Sequence, residues 1–131
     1  MIKVLILFLF IGSNMPLLAQ EEEKAFTYTE KMPQFVGGTE EMYRFVYTNI
    51  RSTKLCQQES ARTQVIVQFV VDTTGYIDNP KIMKDNKSGC NDEALRVINL
   101  MNEGGPYWSP GEQNGRKVRV TFTLPILFNI K

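Results

Sequence analysis

The sequence contains no histidine, the side chain used most often as a general base and as a metal ligand. It contains only two cysteines, Cys56 and Cys90, which are too few for a four-cysteine zinc site and have no histidine to activate them as nucleophiles. Glu93 falls in the first turn of a predicted helix, where a carboxylate stabilises the helix dipole. We therefore expect a protein that is not an enzyme, has no catalytic residues, and holds no cofactor or metal ion.

An excess of charge of either sign is also missing. The formal net charge is +1, and removing Lys3 from the 15 basic residues leaves 14, which equals the number of acidic residues. Binding to the phosphate backbone of a nucleic acid would need a basic patch. A nucleic-acid partner is therefore not expected.

No apolar run reaches the roughly 20 residues needed to cross a bilayer as a helix. An unbroken run, residues 4–11, follows the basic Lys3 and leads to the small residue Ala19. A basic start, a short apolar stretch and a small residue at the end are the layout of a secretory signal peptide. We predict that residues 1–19 are cleaved after Ala19; the alternative is that they remain as a short membrane anchor.

The rest of the chain divides into a polar lead-in, residues 20–34, and one small domain, residues 35–131. The lead-in is charged, is not rich in proline, and is expected to be flexible. The clearest strand of the domain is Gln64–Val71, where alternate side chains form an apolar face. The turn Asp72–Gly75 then returns the chain as a second strand. Pro80 places that strand at a sheet edge, because proline cannot donate to a ladder.

Two helices are predicted, one before the first strand and one after the second. A last strand, Arg116–Leu124, ends the domain. The order helix, strand, strand, helix, strand predicts an α+β fold, in which a three-stranded antiparallel sheet carries both helices on one face. The first strand should lie between the other two. Apolar residues at helical spacing mark the buried faces of the helices: Met42, Phe45, Val46, Ile50, Ala94, Val97, Ile98 and Met101.

Cys56 and Cys90 flank the two helices and should therefore approach each other on the same side of the sheet. In an oxidising compartment, two cysteines are better explained as one disulfide than as free thiols. We predict a Cys56–Cys90 bond, with two separate buried thiols as the alternative.

Taken together, these segments resemble the TonB C-terminal domain family. The resemblance runs from about Met32 to Phe128 and depends on an ordered set of motifs at the family's spacing. The sequence departs from the family after Asn49-Ile50, where Ser52-Thr53 replaces the usual tyrosine and proline. The motifs include Pro33-Gln-Phe-Val-Gly-Gly38, Val65-Ile-Val-Gln-Phe-Val-Val-Asp72, Gly75-Tyr-Ile77, Asp92-Glu-Ala-Leu-Arg-Val-Ile98, Trp108-Ser-Pro-Gly111 and Val118-Arg-Val-Thr-Phe-Thr-Leu-Pro-Ile126.

The resemblance implies a binding role without catalysis. Members of the family capture an extended segment of an outer-membrane receptor as a strand added to the sheet edge. The alternative interpretation is an ordinary edge, which Lys117 and Arg119 guard against pairing. The partner-binding residues implied here are those of the last predicted strand: Arg116, Lys117, Val118, Arg119, Val120, Thr121, Phe122, Thr123 and Leu124.

The expected function is a periplasmic module that captures a segment of a TonB-dependent outer-membrane receptor, or of another periplasmic protein, and takes part in or modulates energy-coupled transport. The family's energy transducers have a membrane anchor and a long spacer, whereas residues 20–34 span only about 50 Å when fully extended. The alternative is an adaptor or structural domain of the same fold that binds cell-wall material or another protein, without energy transduction. If residues 1–19 stay attached, they would anchor the protein in the inner membrane. A homodimer is a further arrangement that the sequence leaves open.

Overall fold

The computed structural model describes residues 24–51, 53–57, 62–83 and 89–129. The predicted signal peptide and its cleavage site lie outside these residues. Within these ranges, no helix is long and apolar enough to cross a membrane. The elements in chain order are β1 (Gln34–Phe35), α1 (Thr39–Asn49), α2 (Lys54–Gln57), β2 (Arg62–Val71), β3 (Ile77–Ile82), α3 (Asn91–Asn99), a 3₁₀ turn (Leu100–Asn102), β4 (Trp108–Ser109), β5 (Gly111–Gln113), β6 (Arg116–Val118) and β7 (Val120–Asn129).

The main sheet has three strands in the order β3-β2-β7, and both pairings are antiparallel. β2 lies at the centre, as predicted, and pairs with β7 over ten consecutive residues without a shift in register. The pairing with β3 shifts at Phe69, where Asn79 and Pro80 stand opposite a single residue of β2. Asn79 has a φ of 53°, which asparagine tolerates better than most residues, so this edge strand carries a bulge.

One face of the sheet is apolar and carries the core. Phe69 pairs with Phe122 across the ladder, and their rings stack with centroids 5.6 Å apart. α1 adds Met42 and Val46 to the same core. The predicted α+β fold, with a three-stranded antiparallel sheet and both helices on one face, is confirmed; α2 and the 3₁₀ turn are additional short helical pieces. Further buried members of this core are Val65, Val67, Val71, Leu124, Ile126, Ala94, Val97, Ile98 and Met101.

Trp108 lies at the centre of an aromatic cluster at one end of the core. Its ring centroid is 5.4 Å from that of Phe35, 5.7 Å from that of Phe69 and 5.0 Å from that of Phe122. β1 and β4 hold the cluster together, because Phe35 and Trp108 are paired in a small antiparallel sheet. The tryptophan is buried and therefore serves packing rather than surface recognition.

Glu93 joins the end of α1 to the start of α3 through a buried carboxylate. It accepts hydrogen bonds from the Arg96 guanidinium at 2.7 and 2.9 Å and from the Arg51 N–H at 2.6 Å. Arg96 also donates to the Asn49 carbonyl oxygen at 2.7 Å, which caps the C-terminal end of α1. Burial raises the pKa of Glu93, but the hydrogen bonds and charges of Arg96 and Arg51 outweigh this effect and hold that pKa below its usual range.

Cys56 of α2 and Cys90, the residue before α3, form the predicted disulfide. Their Cα atoms are 4.3 Å apart, and both residues are buried. The bond joins positions 34 residues apart and fastens the segment between α1 and β2 to the start of α3. It therefore closes a large loop that contains the β2–β3 hairpin.

Replacing Phe69 by alanine should lower the free energy of unfolding by about 3–5 kcal/mol, because the ring is fully buried and its loss leaves a cavity. Thr121→Ala, on the opposite face of the sheet, should lower it by about 0.5 kcal/mol or less. Urea unfolding followed by circular dichroism measures both values. Equal losses would contradict the strand register, since a slip by one residue exchanges the two faces.

Removing the disulfide by substituting alanine for both Cys56 and Cys90 should lower the free energy of unfolding by about 3–4 kcal/mol, because the closed loop restricts the unfolded chain. Dithiothreitol should lower the thermal midpoint of the parent protein and leave that of the double variant unchanged. A parent that is fully reduced by thiol assay and yet keeps its midpoint would contradict a stabilising bond.

Glu93→Gln should lower the free energy of unfolding by about 1–3 kcal/mol at pH 7, because the amide keeps the shape of the side chain but not its charge. The pKa of Glu93 is lower in the folded chain than in the unfolded one, so this stabilisation is complete above about pH 5 and is lost as the pH falls through about 4 and below. The difference between parent and variant should shrink towards pH 3 in urea titrations. Glu41→Gln, in the exposed pair with Arg44, is the control and should have little effect. A difference that stays constant from pH 7 to pH 3 would contradict this account.

Candidate docking edge

The main sheet has two outer edges, and an exposed edge offers N–H and C=O groups to an added strand. The chain closes the β3 edge with its own groups. The Ile77 N–H donates to the side chain of Asn102 at 2.7 Å, and the same side chain donates back to the Ile77 carbonyl oxygen at 2.8 Å. Pro80 has no backbone N–H to donate, and the bulge at Asn79 interrupts the line of outward backbone groups along β3. β3 is therefore poorly suited to strand addition.

The β7 edge differs from the edge strand that the sequence predicts. Arg116–Val118 forms β6, which pairs with β5 in a separate small hairpin. Arg119 follows that hairpin, and β7 begins only at Val120. The prediction of one strand over Arg116–Leu124 is therefore wrong. The predicted residues that do lie on the sheet edge are Val120, Thr121, Phe122, Thr123 and Leu124.

Alternate residues of β7 direct their backbone groups away from β2. The Thr121 N–H donates to the Phe26 carbonyl oxygen at 2.7 Å, and the Leu127 N–H donates to the Tyr47 hydroxyl at 2.9 Å. Neither acceptor belongs to β2, and the two donors are an even number of residues apart. The outward row therefore consists of Thr121, Thr123, Pro125 and Leu127.

Two tyrosines of α1 cover the end of this row at Pro125 and Leu127. Tyr43 and Tyr47 lie one helical turn apart, and their stacked rings have centroids 5.9 Å apart. The Tyr47 hydroxyl accepts the Leu127 N–H, and the Tyr43 hydroxyl lies 3.5 Å from the Pro125 carbonyl oxygen, which is long for a hydrogen bond. Partial burial, and then the neighbouring Tyr47, raise the pKa of Tyr43, so its hydroxyl remains a donor. Because Pro125 also lacks an N–H, the row offers little to an added strand from this point on.

The segment before β1 occupies the other end of the row, at Thr121. Phe26 forms a parallel bridge with the start of β7: its N–H donates to the Arg119 carbonyl oxygen at 2.8 Å, and its carbonyl oxygen accepts the Thr121 N–H. Lys31 then forms an antiparallel bridge with β5. These residues fall within the lead-in, residues 20–34, that the sequence places outside the domain. Part of this segment therefore lies against β7 and β5.

Between the two ends, three outward groups stay open: the carbonyl oxygen of Thr121, and the N–H and carbonyl oxygen of Thr123. In the part of the chain that the structure describes, none of the three has a hydrogen-bond partner. Thr123 is also exposed to solvent. The open stretch suits a short extended segment, because strand residues rise about 3.3 Å each.

The basic side chains predicted to guard the edge are engaged or placed elsewhere. Arg119 forms an ion pair with Asp78 of β3 at 3.0 Å, so its side chain lies across the sheet. Partial burial raises the pKa of Asp72, but hydrogen bonds within its own turn and the charge of Arg119 lower it more, and the net pKa is below the usual range. Lys117 lies in β6, outside the main sheet. The open groups of Thr123 are therefore not shielded by these two residues.

Among the clefts lined by described residues, two lie beside α1 and beside the start of β7. The larger, about 320 Å³, lies beside α1 and is lined in part by the rings of Phe35, Phe45 and Tyr107. Among the described residues, no group of three or more cysteine, aspartate or glutamate side chains is placed to hold a metal ion. The smaller cleft, about 200 Å³, lies at the Thr121 end of the row and is lined by Phe26, Gln113, Asn114, Arg116 and Val118.

Comparison with known proteins agrees with this architecture. The NMR solution structure of the Helicobacter pylori TonB C-terminal domain matches with a TM-score of 0.52 and 22% sequence identity, over 70% of this chain and 92% of that one. At this identity the similarity concerns the fold. No curated protein matches the chain. The family described as Gram-negative bacterial TonB protein C-terminal matches residues 56–130, more than half of the sequence. The chain therefore belongs to the TonB C-terminal family.

Proposed function

We propose that this protein is a periplasmic binding module that captures an extended segment of a partner as an added strand on β7. The proposed partner is a segment of a TonB-dependent outer-membrane receptor, and the proposed role is to take part in or modulate energy-coupled transport. The protein acts by binding and not by catalysis. Export through residues 1–19 belongs to the same proposal, with either cleavage after Ala19 or retention as an inner-membrane anchor.

The parallel bridge at Phe26 is the strongest support for this proposal. It shows a backbone from outside the main sheet already seated on the β7 edge, with hydrogen bonds of 2.8 and 2.7 Å. The open groups of Thr123 come next along the same outward row. A segment that follows the row past Thr121 would satisfy them, and such backbone pairing gives affinity largely independent of the partner's sequence.

An adaptor domain of the same fold, without a part in energy transduction, is the second candidate. The larger cleft beside α1 favours it, since this cleft is separate from the β7 edge and combines three aromatic rings with the polar side chains of Arg44 and Asn49. Apolar walls with a few polar groups suit a cell-wall component or a protein side chain. A second copy of the chain is a further candidate for the β7 edge, and its docking would produce a homodimer.

Thr123→Pro should weaken binding of the partner segment by about tenfold or more, because proline removes the open N–H of the row. The fold should survive, since this N–H faces away from β2 and the chain already carries a proline at the next outward position, Pro125. Thr123→Ala keeps the N–H and is the matched control, with binding expected within about threefold of the parent. Calorimetric titration with peptides copied from the plug-preceding segments of receptors from the same cell measures both.

The thermal midpoint of each variant shows whether it is folded. A folded Thr123→Pro variant that binds the receptor peptides as tightly as the parent would reject strand addition at this position. A parent that binds none of the peptides would reject the transport role and leave the adaptor as the better proposal.

A further inference from the structure

We propose that residues 24–28, which we call the strap, compete internally for the docking edge, so that a partner segment binds only after the strap has left β7. This inference rests on the proposed function, because it concerns the same edge. It has three supports: a fixed point just after the strap, a weak attachment of the strap itself, and a backbone donor that strap and partner both need.

The chain is firmly attached just after the strap. Thr29 is 2% exposed, and its hydroxyl donates to the Lys31 carbonyl oxygen at 2.8 Å. Lys31 and Glu112 exchange two backbone hydrogen bonds, of 3.1 and 2.8 Å. Gly111 allows this close approach, since a Cβ at that position would lie 2.9 Å from the Lys31 carbonyl oxygen and 2.6 Å from a methyl carbon of Val120. A strap that leaves the edge therefore pivots at Thr29, and the domain stays intact.

The strap itself is held weakly. The only hydrogen bonds that attach it to described residues of the domain are the two backbone bonds of Phe26. Phe26 is 38% exposed, and Tyr28 is 78% exposed. Local opening is easiest where backbone bonds face solvent and little apolar surface is buried. The strap has only those two bonds to described residues of the domain, and Lys24, Thr27 and Tyr28 are exposed.

Strap and partner exclude each other because they need the same atoms. The Thr121 N–H carries one proton, which it donates to the Phe26 carbonyl oxygen, and the Arg119 carbonyl oxygen is taken by the Phe26 N–H. A partner limited to the open groups would make three hydrogen bonds, at the Thr121 carbonyl oxygen and at Thr123, so an added strand of ordinary length must extend over the Thr121 N–H and displace Phe26. The partner residue that takes the place of Phe26 would lie in the smaller cleft, beside Val118. We expect this residue to have an apolar side chain.

Amide hydrogen exchange in the full chain, followed by NMR, measures strap attachment without any partner. Phe26→Pro removes the donor of the strap, and the Thr121 amide should then exchange at least about tenfold faster than in the parent. Tyr28→Pro is the matched control, because Tyr28 is exposed and its N–H has no backbone partner in the described ranges. Thr121 should stay protected in that variant. Equal exchange of Thr121 in the parent and in Phe26→Pro would overturn the proposal.

A peptide copied from residues 24–30 measures the competition. It should bind Phe26→Pro with a dissociation constant of about 0.1 mM or below, which is tenfold under a millimolar effective concentration of the attached strap, and shift the amide signals of Thr121 and Thr123. It should bind the parent and Tyr28→Pro at least about tenfold more weakly, because the attached strap is present at a millimolar effective concentration. Equal binding to all three proteins, or no binding to Phe26→Pro, would overturn the proposal.

These measurements separate the strap from the docking proposal. The strap peptide is not a receptor segment, so its titration concerns the strap alone, whereas the titration of Thr123→Pro with receptor peptides concerns docking alone. If Phe26→Pro fails to fold, Phe26→Ala replaces it: the ring is lost, and Thr121 should exchange about threefold faster. No change in that variant would overturn the proposal. Receptor peptides that bind the parent and Phe26→Pro equally tightly would also overturn it, even if docking at Thr123 is established.

Discussion

The ten-residue pairing of β2 with β7 determines both where the core lies and which backbone groups remain free for other contacts. Side chains alternate along each strand, so the pairing of Phe69 with Phe122 places the apolar residues of both strands on the face that the helices cover. Backbone groups alternate as well, so the same register directs those of Thr121 and Thr123 away from β2. A slip by one residue would expose the core face and turn these groups inward. Core and docking edge thus depend on one constraint, and neither can be changed without the other.

The sequence predicts well those features that depend on a residue's own segment. The apolar alternation around Phe69 is enough to identify β2 and its buried face, and the missing donor of Pro80 is enough to place β3 at an edge. The disulfide between Cys56 and Cys90 follows once both helices are placed on one side of the sheet. Glu93 is different. A carboxylate in a first helical turn resembles an exposed partner of the helix dipole, and here it is buried against Arg96 and the Arg51 N–H. The i,i+3 spacing to Arg96 is visible in the sequence, whereas the contact with the backbone of Arg51 depends on how α1 and α3 pack.

The docking edge was harder to predict because its limits depend on backbone pairing. Val118 and Val120 are both buried, so the alternation of side chains continues through Arg119 although the pairing strand changes from β5 to β2. A pattern of side chains does not reveal which strand supplies the hydrogen bonds, and the prediction joined two strands into one. Phe26 gave no signal either, since a single aromatic residue in a polar segment has no periodicity. Its place on the edge depends on backbone hydrogen bonds to Arg119 and Thr121, which only the fold shows.

The strap and a partner segment differ in binding free energy at the β7 edge because they reach different numbers of backbone groups. The strap uses two, at Arg119 and Thr121, because the chain bends away at Thr27 towards its fixed point at Thr29. A partner that continues along the row gains three more, the carbonyl oxygen of Thr121 and both groups of Thr123. At about 0.5–1.5 kcal/mol net for each hydrogen bond, three bonds favour the partner by about 1.5–4.5 kcal/mol, or roughly 10- to 1,600-fold. Covalent attachment to the domain favours the strap over the partner, because it keeps the strap at a millimolar effective concentration. A partner no longer than the strap would therefore not displace it, and the proposed recognition at this edge would select for segments that extend as far as Thr123.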